Sequence, residues 1–104
     1  MMTLINLTNQ ELEDLLKHPA KPLLLDVRTQ QEYDQLGHIP EAVLLPIQEL
    51  EARLSELDPE QATVVICEHG VRSAHAASYL LYKGFKNISH LSAGMADWVG
   101  SREF

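Results

Sequence analysis

Apolar residues along this chain fall into two alternating rhythms. Short unbroken runs, Leu23-Leu24-Leu25 and Val64-Val65-Ile66, lack the in-out alternation of a half-exposed strand and read as strands covered on both faces. Between them the apolar positions recur at helical spacing, as in Leu12, Leu15 and Leu16, and again in Ala74, Ala77, Leu80 and Leu81. The pattern predicts a brief strand at Leu4-Ile5. A helix follows, started by the capping box Thr8-x-x-Glu11 and closed by Pro19 and Pro22. Next come a strand over Leu23–Val27, a helix from Thr29 to Leu36 ending at Gly37, and a strand over Ala42–Leu45. Ile47, Leu50, Leu54 and Leu57 then mark one helical face, stopped by Asp58-Pro59. Thr63–Ile66 is the most β-branched run and the expected central strand. A helix over Arg72–Lys83, a strand at Asn87–His90 and a short helix from Gly94 to Trp98 complete the order. Strands alternating with helices imply an α/β fold: an open parallel sheet of four to five strands with helices on both faces, in one domain spanning residues 1–104.

Composition narrows the function classes. With 45% hydrophobic and 22% charged residues, the 104 residues are those of an ordinary globular domain. No apolar run approaches the ~18 residues of a membrane span. The beginning of the chain, Met1 to Asn6, lacks the basic end and apolar block of a secretory signal, so a cytoplasmic location is expected. A formal charge of −7 disfavours a general grip on nucleic acid or anionic lipid. The acidity is local: between Thr29 and Glu60 eight carboxylates (Glu32, Asp34, Glu41, Glu49, Glu51, Glu56, Asp58, Glu60) stand against Arg53 alone. That segment reads first as a solvated face, and second as a docking face for a basic protein partner.

In sheets of this kind, working residues lie beyond the carboxyl ends of the strands. The rule selects Asp26-Val27-Arg28, the segment after Leu45, and the segment after Ile66. The last reads Cys67-Glu68-His69-Gly70-Val71-Arg72-Ser73. It holds the only cysteine, which excludes an internal disulfide and any multi-cysteine metal site. A lone cysteine after a β-branched strand is ordinarily buried packing. Here the backbone turns at once into a helix N-terminus, where unpaired N–H groups and the positive end of the helix dipole favour thiolate over thiol. Arg72 is placed to fold back and fork two donors onto an anion seated over the sulfur. The expected site is therefore a reachable thiolate in a ring of main-chain donors, closed by a guanidinium. Asp26 and Arg28 are expected to scaffold it, Asp26 accepting from turn amides and Arg28 pairing with an acid such as Glu32. Trp98 and Phe104 are expected to latch the chain end. His90 and His18 carry no signal.

Four segments, in order, resemble the single-domain rhodanese-like sulfurtransferases. Leu25-Asp26-Val27-Arg28 with Glu32-Tyr33 is similar to the family's D-V-R-x-x-x-E-[YF] stretch. Gly37-His38-Ile39-Pro40 with Ala42 resembles its G-H-I-P-G-A turn, Cys67-x-x-Gly70-x-Arg72-Ser73 its active-site loop, and Leu91, Gly94 and Trp98 its C-terminal L-x-G-G-x-x-x-W. The resemblance implies a rhodanese-like fold. It implies that Cys67 takes a sulfane sulfur from thiosulfate or a persulfide and passes it to cyanide or a thiol. The loop residues Glu68, His69, Gly70, Val71, Arg72 and Ser73 would bind substrate, with no metal or organic cofactor. His69 is left without a proton to move. Glu41 stands where the family favours glycine, and so does Ala93. Glu68 departs from the basic residue common in members active on thiosulfate, which makes free thiosulfate the expected poorer donor. Two alternatives stay open. One is a non-catalytic or sulfur-carrying protein-binding module. The other is a cysteine phosphatase or arsenate reductase, for which phosphatase loops place five residues between Cys and Arg, against four here.

Overall fold

The computed structural model describes residues 4–104. Five strands, β1 (Ile5–Leu7), β2 (Leu23–Asp26), β3 (Val43–Leu44), β4 (Thr63–Ile66) and β5 (Ile88–Leu91), form one parallel sheet in the order β1-β5-β4-β2-β3. The β-branched run Thr63–Ile66 is the middle strand, as its composition predicts. Side-chain alternation sends Val65 and Cys67 to one face and Val64 and Ile66 to the other, so each face has its own core. Helix α3 (Val71–Tyr82) covers the first face through Ala76, Ala77 and Leu80. Helix α1 (Asn9–Leu15) covers the second through Leu12, joined by Tyr33 of α2 (Gln30–Gln35) and by Trp98.

Local chemistry sets the helix starts. Thr8 and Thr29 each accept from the backbone N–H of the glutamate three residues on, and that glutamate returns the bond to the threonine N–H. The expected single helix from Ile47 to Leu57 is instead two 3₁₀ turns, Ile47–Glu49 and Leu54–Glu56. Its apolar stripe still faces inward, with Leu50 buried and Ile47, Leu54 and Leu57 against the α3-side core. The spacing reports which face is buried, and a chain of short turns meets that demand as well as a continuous helix. At the chain end Trp98 is buried as expected, but Phe104 is 82% exposed. Arg102 does most of the fastening, donating to the carbonyls of Leu36, Met95 and Trp98.

The turn leading into β3 bonds Ala42 N–H to Ile39 C=O at 3.0 Å, with Glu41 at φ 72°. That is the left-handed position at which such a turn favours glycine. Glu41→Gly should stabilise the fold by roughly 0.5–1 kcal/mol, relief of the strained φ outweighing the added chain entropy. Equilibrium urea unfolding checks this; a destabilised variant would contradict it. Tyr33 secures the same turn, donating its hydroxyl to Ala42 C=O at 2.6 Å and stacking on the His38 ring at 3.8 Å.

The sheet order decides where a site can lie. From β2 the chain moves outward to β3, and from β4 it moves the other way to β5, so connections diverge between β2 and β4. Their register pairs Leu25 with Val65 and Asp26 with Ile66, which releases Val27-Arg28 and Cys67-Glu68 side by side at this switch point.

Candidate active site at Cys67

Sγ of Cys67 accepts two backbone hydrogen bonds, from Gly70 N–H at 3.1 Å and Ser73 N–H at 3.2 Å. Gly70 is the N-cap residue of α3 and offers no side-chain cap. The sulfur fills that role, taking up orphan donors of the first turn and sitting at the positive end of a 12-residue helix. The ring of main-chain donors expected from the sequence is present. An exposed thiol is not: Cys67 is 1% exposed, and the Arg72 guanidinium directs its hydrogen bonds to a carboxylate. It forks onto Glu32 of α2, with both N–H···O distances 2.8 Å. A bidentate carboxylate is the strongest partner in reach of an arginine, and α2 supplies one from across the switch point.

This pairing also corrects the expected partner of Arg28. Its guanidinium is fully buried and meets Asp26 at 2.8–3.1 Å, Gly37 C=O at 2.9 Å and Glu68 at 3.0 Å, leaving Glu32 to Arg72. Burial alone would lower the Arg28 pKa, but the carboxylates of Asp26 and Glu68 overcome it and raise it. Asp26 Oδ1 accepts from Arg28 N–H, the turn-amide contact expected of it. Glu68 is thus tied inward, His69 is exposed, and Val71 projects to solvent.

Two glycines hold the loop. Gly70 has φ 90°, and a Cβ there would lie 2.0 Å from Ser92 C=O. Gly94 has φ 74°, and its Cβ would lie 2.2 Å from Glu68 C=O. The 3₁₀ turn Met95–Asp97 presses close enough for Met95 and Ala96 to donate to the carbonyls of Cys67 and Glu68 at 2.9 and 3.0 Å. The C-terminal glycine therefore belongs to the cysteine loop. Behind that loop lies a residue that sequence reasoning passed over, His90, whose ring bonds Ser73 Oγ at 2.9 Å and Asn6 Oδ1 at 2.7 Å.

The domain family described as Rhodanese-like domain matches residues 8–101. The chain belongs to the rhodanese-like family. It is 40% identical over 80 residues to the Bacillus subtilis (strain 168) protein YrkF, named as a sulfur carrier, covering 77% of this chain and 43% of that one. A protein of Allochromatium vinosum named sulfurtransferase is 33% identical over 91 residues, covering 88% of this chain and 84% of its own. The crystal structure of a Staphylococcus saprophyticus protein superposes with a TM-score of 0.89 at 27% identity, covering 97% of this chain and all of that one. The rhodanese-like fold is thus shared in full. Among the described residues no group of His, Cys, Asp and Glu is arranged to hold a metal, and no helix is long and apolar enough to cross a membrane. Of the eight acids between Thr29 and Glu60, four sit in ion pairs: Glu32 with Arg72, Glu49 and Glu56 with Arg53, and Glu60 with Lys86.

The Arg72 hydrogen bonds hold Glu32 at a pKa of about 2, against an ordinary 4.5. Because the folded value is the lower one, the pair's stabilisation is complete above about pH 4.5 and is lost as pH falls through about 2. Discounted for partial exposure, wild type should lose about 1–2 kcal/mol more than Glu32→Gln between pH 6 and pH 3. Denaturant midpoints of the two proteins at both pH values provide the check, and parallel losses would contradict the pairing.

Proposed function

We propose that this rhodanese-like protein is a sulfurtransferase carrying sulfane sulfur as a persulfide on Cys67. The thiolate attacks the sulfane sulfur of thiosulfate or a persulfide. The new S–S bond forms as the donor's breaks, and the electron pair leaves with sulfite or a thiolate. An acceptor, cyanide or a thiol, then attacks the outer sulfur and returns the pair to Cys67. Neither displacement needs a general base, which agrees with the solvent-facing His69. Since Cys67 is 1% exposed, the cycle includes a loop opening, in which Arg72 exchanges the Glu32 carboxylate for the anionic part of the donor.

The observation that carries this reading is the cap on α3. Donors converging on Sγ stabilise thiolate and persulfide anion alike, as an oxyanion hole stabilises oxygen. Kinetics test it. Thiocyanate should form from a sulfur donor and cyanide with the parallel reciprocal plots of a covalent intermediate, and Cys67→Ser should form none. Phosphate released from an aryl phosphate ester, with no thiocyanate, would replace this reading by phosphoryl transfer. Persulfide uptake without turnover would make the protein a carrier.

Donor choice follows from charge. Around the loop stand two guanidiniums, Arg28 and Arg72, and three carboxylates, Asp26, Glu32 and Glu68, a formal sum of −1. A small dianion is disfavoured there relative to a thiol-borne persulfide. Glu68→Gln retains a hydrogen-bonding side chain beside Arg28 and removes one negative charge, so kcat/KM for thiosulfate should rise about 2–5-fold. A lysine here would instead set a second cation against Arg28. An unchanged or lower value for Glu68→Gln would remove the charge argument.

A further inference from the structure

His90 lies in β5 and is 4% exposed, on the sheet face covered by α3. Its place in the register, opposite Asn6 of edge strand β1, turns both side chains to the same face. The Asn6 carbonyl oxygen is 2.7 Å from Nε2 and can only accept, so Nε2 carries the proton and Nδ1 is the acceptor. The Ser73 hydroxyl, 2.9 Å away and fully buried, therefore donates to Nδ1. Ser73 is also the residue whose backbone N–H donates to Cys67 Sγ. Asn6, His90, Ser73 and the sulfur thus form one hydrogen-bonded line running from the sheet edge to the loop, and the two sulfur displacements make no use of its first two members.

Resting on the sulfurtransferase reading, we infer that His90 is a positioning residue, which anchors the Ser73 side chain so that its amide stays aimed at the sulfur of Cys67. Gly70, the N-cap residue, brings no side chain of its own to hold the first turn of α3. Gly70 is placed by its close approach to Ser92, and the Ser73 hydroxyl is held by its bond to His90. Without that bond a buried hydroxyl must find a new partner, and its own helix carbonyls are the nearest. Turning toward them shifts the residue within the first turn and lengthens the N–H···S contact.

The side-chain geometry provides a discriminating pair of variants. In His90→Asn the amide oxygen falls near the position of Nδ1 and still accepts from Ser73. In His90→Gln the amide reaches the position of Nε2, keeping Asn6 while abandoning Ser73. Alkylation of Cys67 by iodoacetamide reads the sulfur directly and needs no sulfur donor. His90→Gln and Ser73→Ala should each slow it about 3–10-fold at pH 7, the effect of one net hydrogen bond. His90→Asn should stay within about 2-fold of wild type. Sulfur transfer should lose kcat by a similar factor to alkylation with KM for the donor unchanged, and the double variant His90→Gln/Ser73→Ala should be no slower than Ser73→Ala. The other charged groups around the loop, Arg72 with Glu32, Arg28 with Asp26 and Glu68, and the exposed His69, are the same in every variant. Readings from pH 7 upward stay above the range in which His90, its pKa lowered by burial, takes up a proton. Unchanged alkylation at pH 7 in His90→Gln and Ser73→Ala, or His90→Asn as slow as His90→Gln, or additive losses in the double variant, would overturn the proposal. If alkylation follows the expected pattern while wild type transfers no sulfur, the sulfurtransferase reading fails and the anchoring of the thiolate by His90 stands.

Discussion

Arg28→Met should be the most damaging single substitution outside the cysteine loop, removing roughly 3–5 kcal/mol of stability. The replacement is of similar length and tolerates burial, so the loss comes from what is left behind. Asp26 is fully buried, and the Arg28 guanidinium supplies three of its side-chain hydrogen bonds. Without it a carboxylate stands unpaired in the interior, Gly37 C=O loses a donor, and Glu68 is released from the loop's inner side. For a domain of this size the melting temperature should fall by upwards of about 12 °C. The double variant Asp26→Leu/Arg28→Met, which removes both charges, should recover much of the loss. A double variant less stable than Arg28→Met would show that the guanidinium acts through packing and not by compensating a buried charge.

Gly70→Ala should disable the site more thoroughly than any change short of removing the sulfur. At φ 90° alanine is strained, and its Cβ would lie 2.0 Å from Ser92 C=O, a backbone atom that cannot step aside. The combined cost is roughly 2–4 kcal/mol, and relaxation must move either the loop or the end of β5. Either movement spoils the Gly70 N–H···Sγ bond, so alkylation at neutral pH should slow in parallel with the loss of stability. Gly94→Ala makes an instructive comparison. It meets Glu68 C=O at 2.2 Å and strains the same loop from the far side, without touching a donor to the sulfur. A Gly70→Ala variant that melts and alkylates as wild type does would contradict the close packing of Gly70 against Ser92.

Much of the architecture was legible because it depends on local chemistry. The capping threonine at position 8, the uninterrupted Leu23–Asp26 and Thr63–Ile66 runs, and Gly37 closing α2 act within a few residues of themselves. The segment from Ile47 to Leu57 departs from the helix its spacing predicts for a physical reason. Burying one face is a demand of the sheet, and two 3₁₀ turns satisfy it with the same spacing. The cysteine loop was legible as a helix start preceded by a thiol. What could not be read was which guanidinium meets which carboxylate. The spacing of Arg28 and Glu32 invites a local pair, whereas each arginine bonds an acid forty positions away, Arg28 to Glu68 and Arg72 to Glu32. Those partners depend on two strand ends meeting at the switch point. The same holds for His90, whose partners Ser73 and Asn6 are 17 and 84 positions distant. Cys67 follows the ordinary rule for a cysteine after a β-branched strand, since the apolar α3-side core extends to the strand end and encloses it.

The central claim is that the sulfur capping α3 accepts a second sulfur, and the intact mass of the protein tests it most directly. Reduced protein incubated with thiosulfate, and separately with a thiol-borne persulfide, should gain the mass of one sulfur atom, more completely from the persulfide. Cyanide should remove the added mass, and Cys67→Ser should never acquire it. An unchanged mass with both donors, in protein whose Cys67 alkylates normally, would contradict the account.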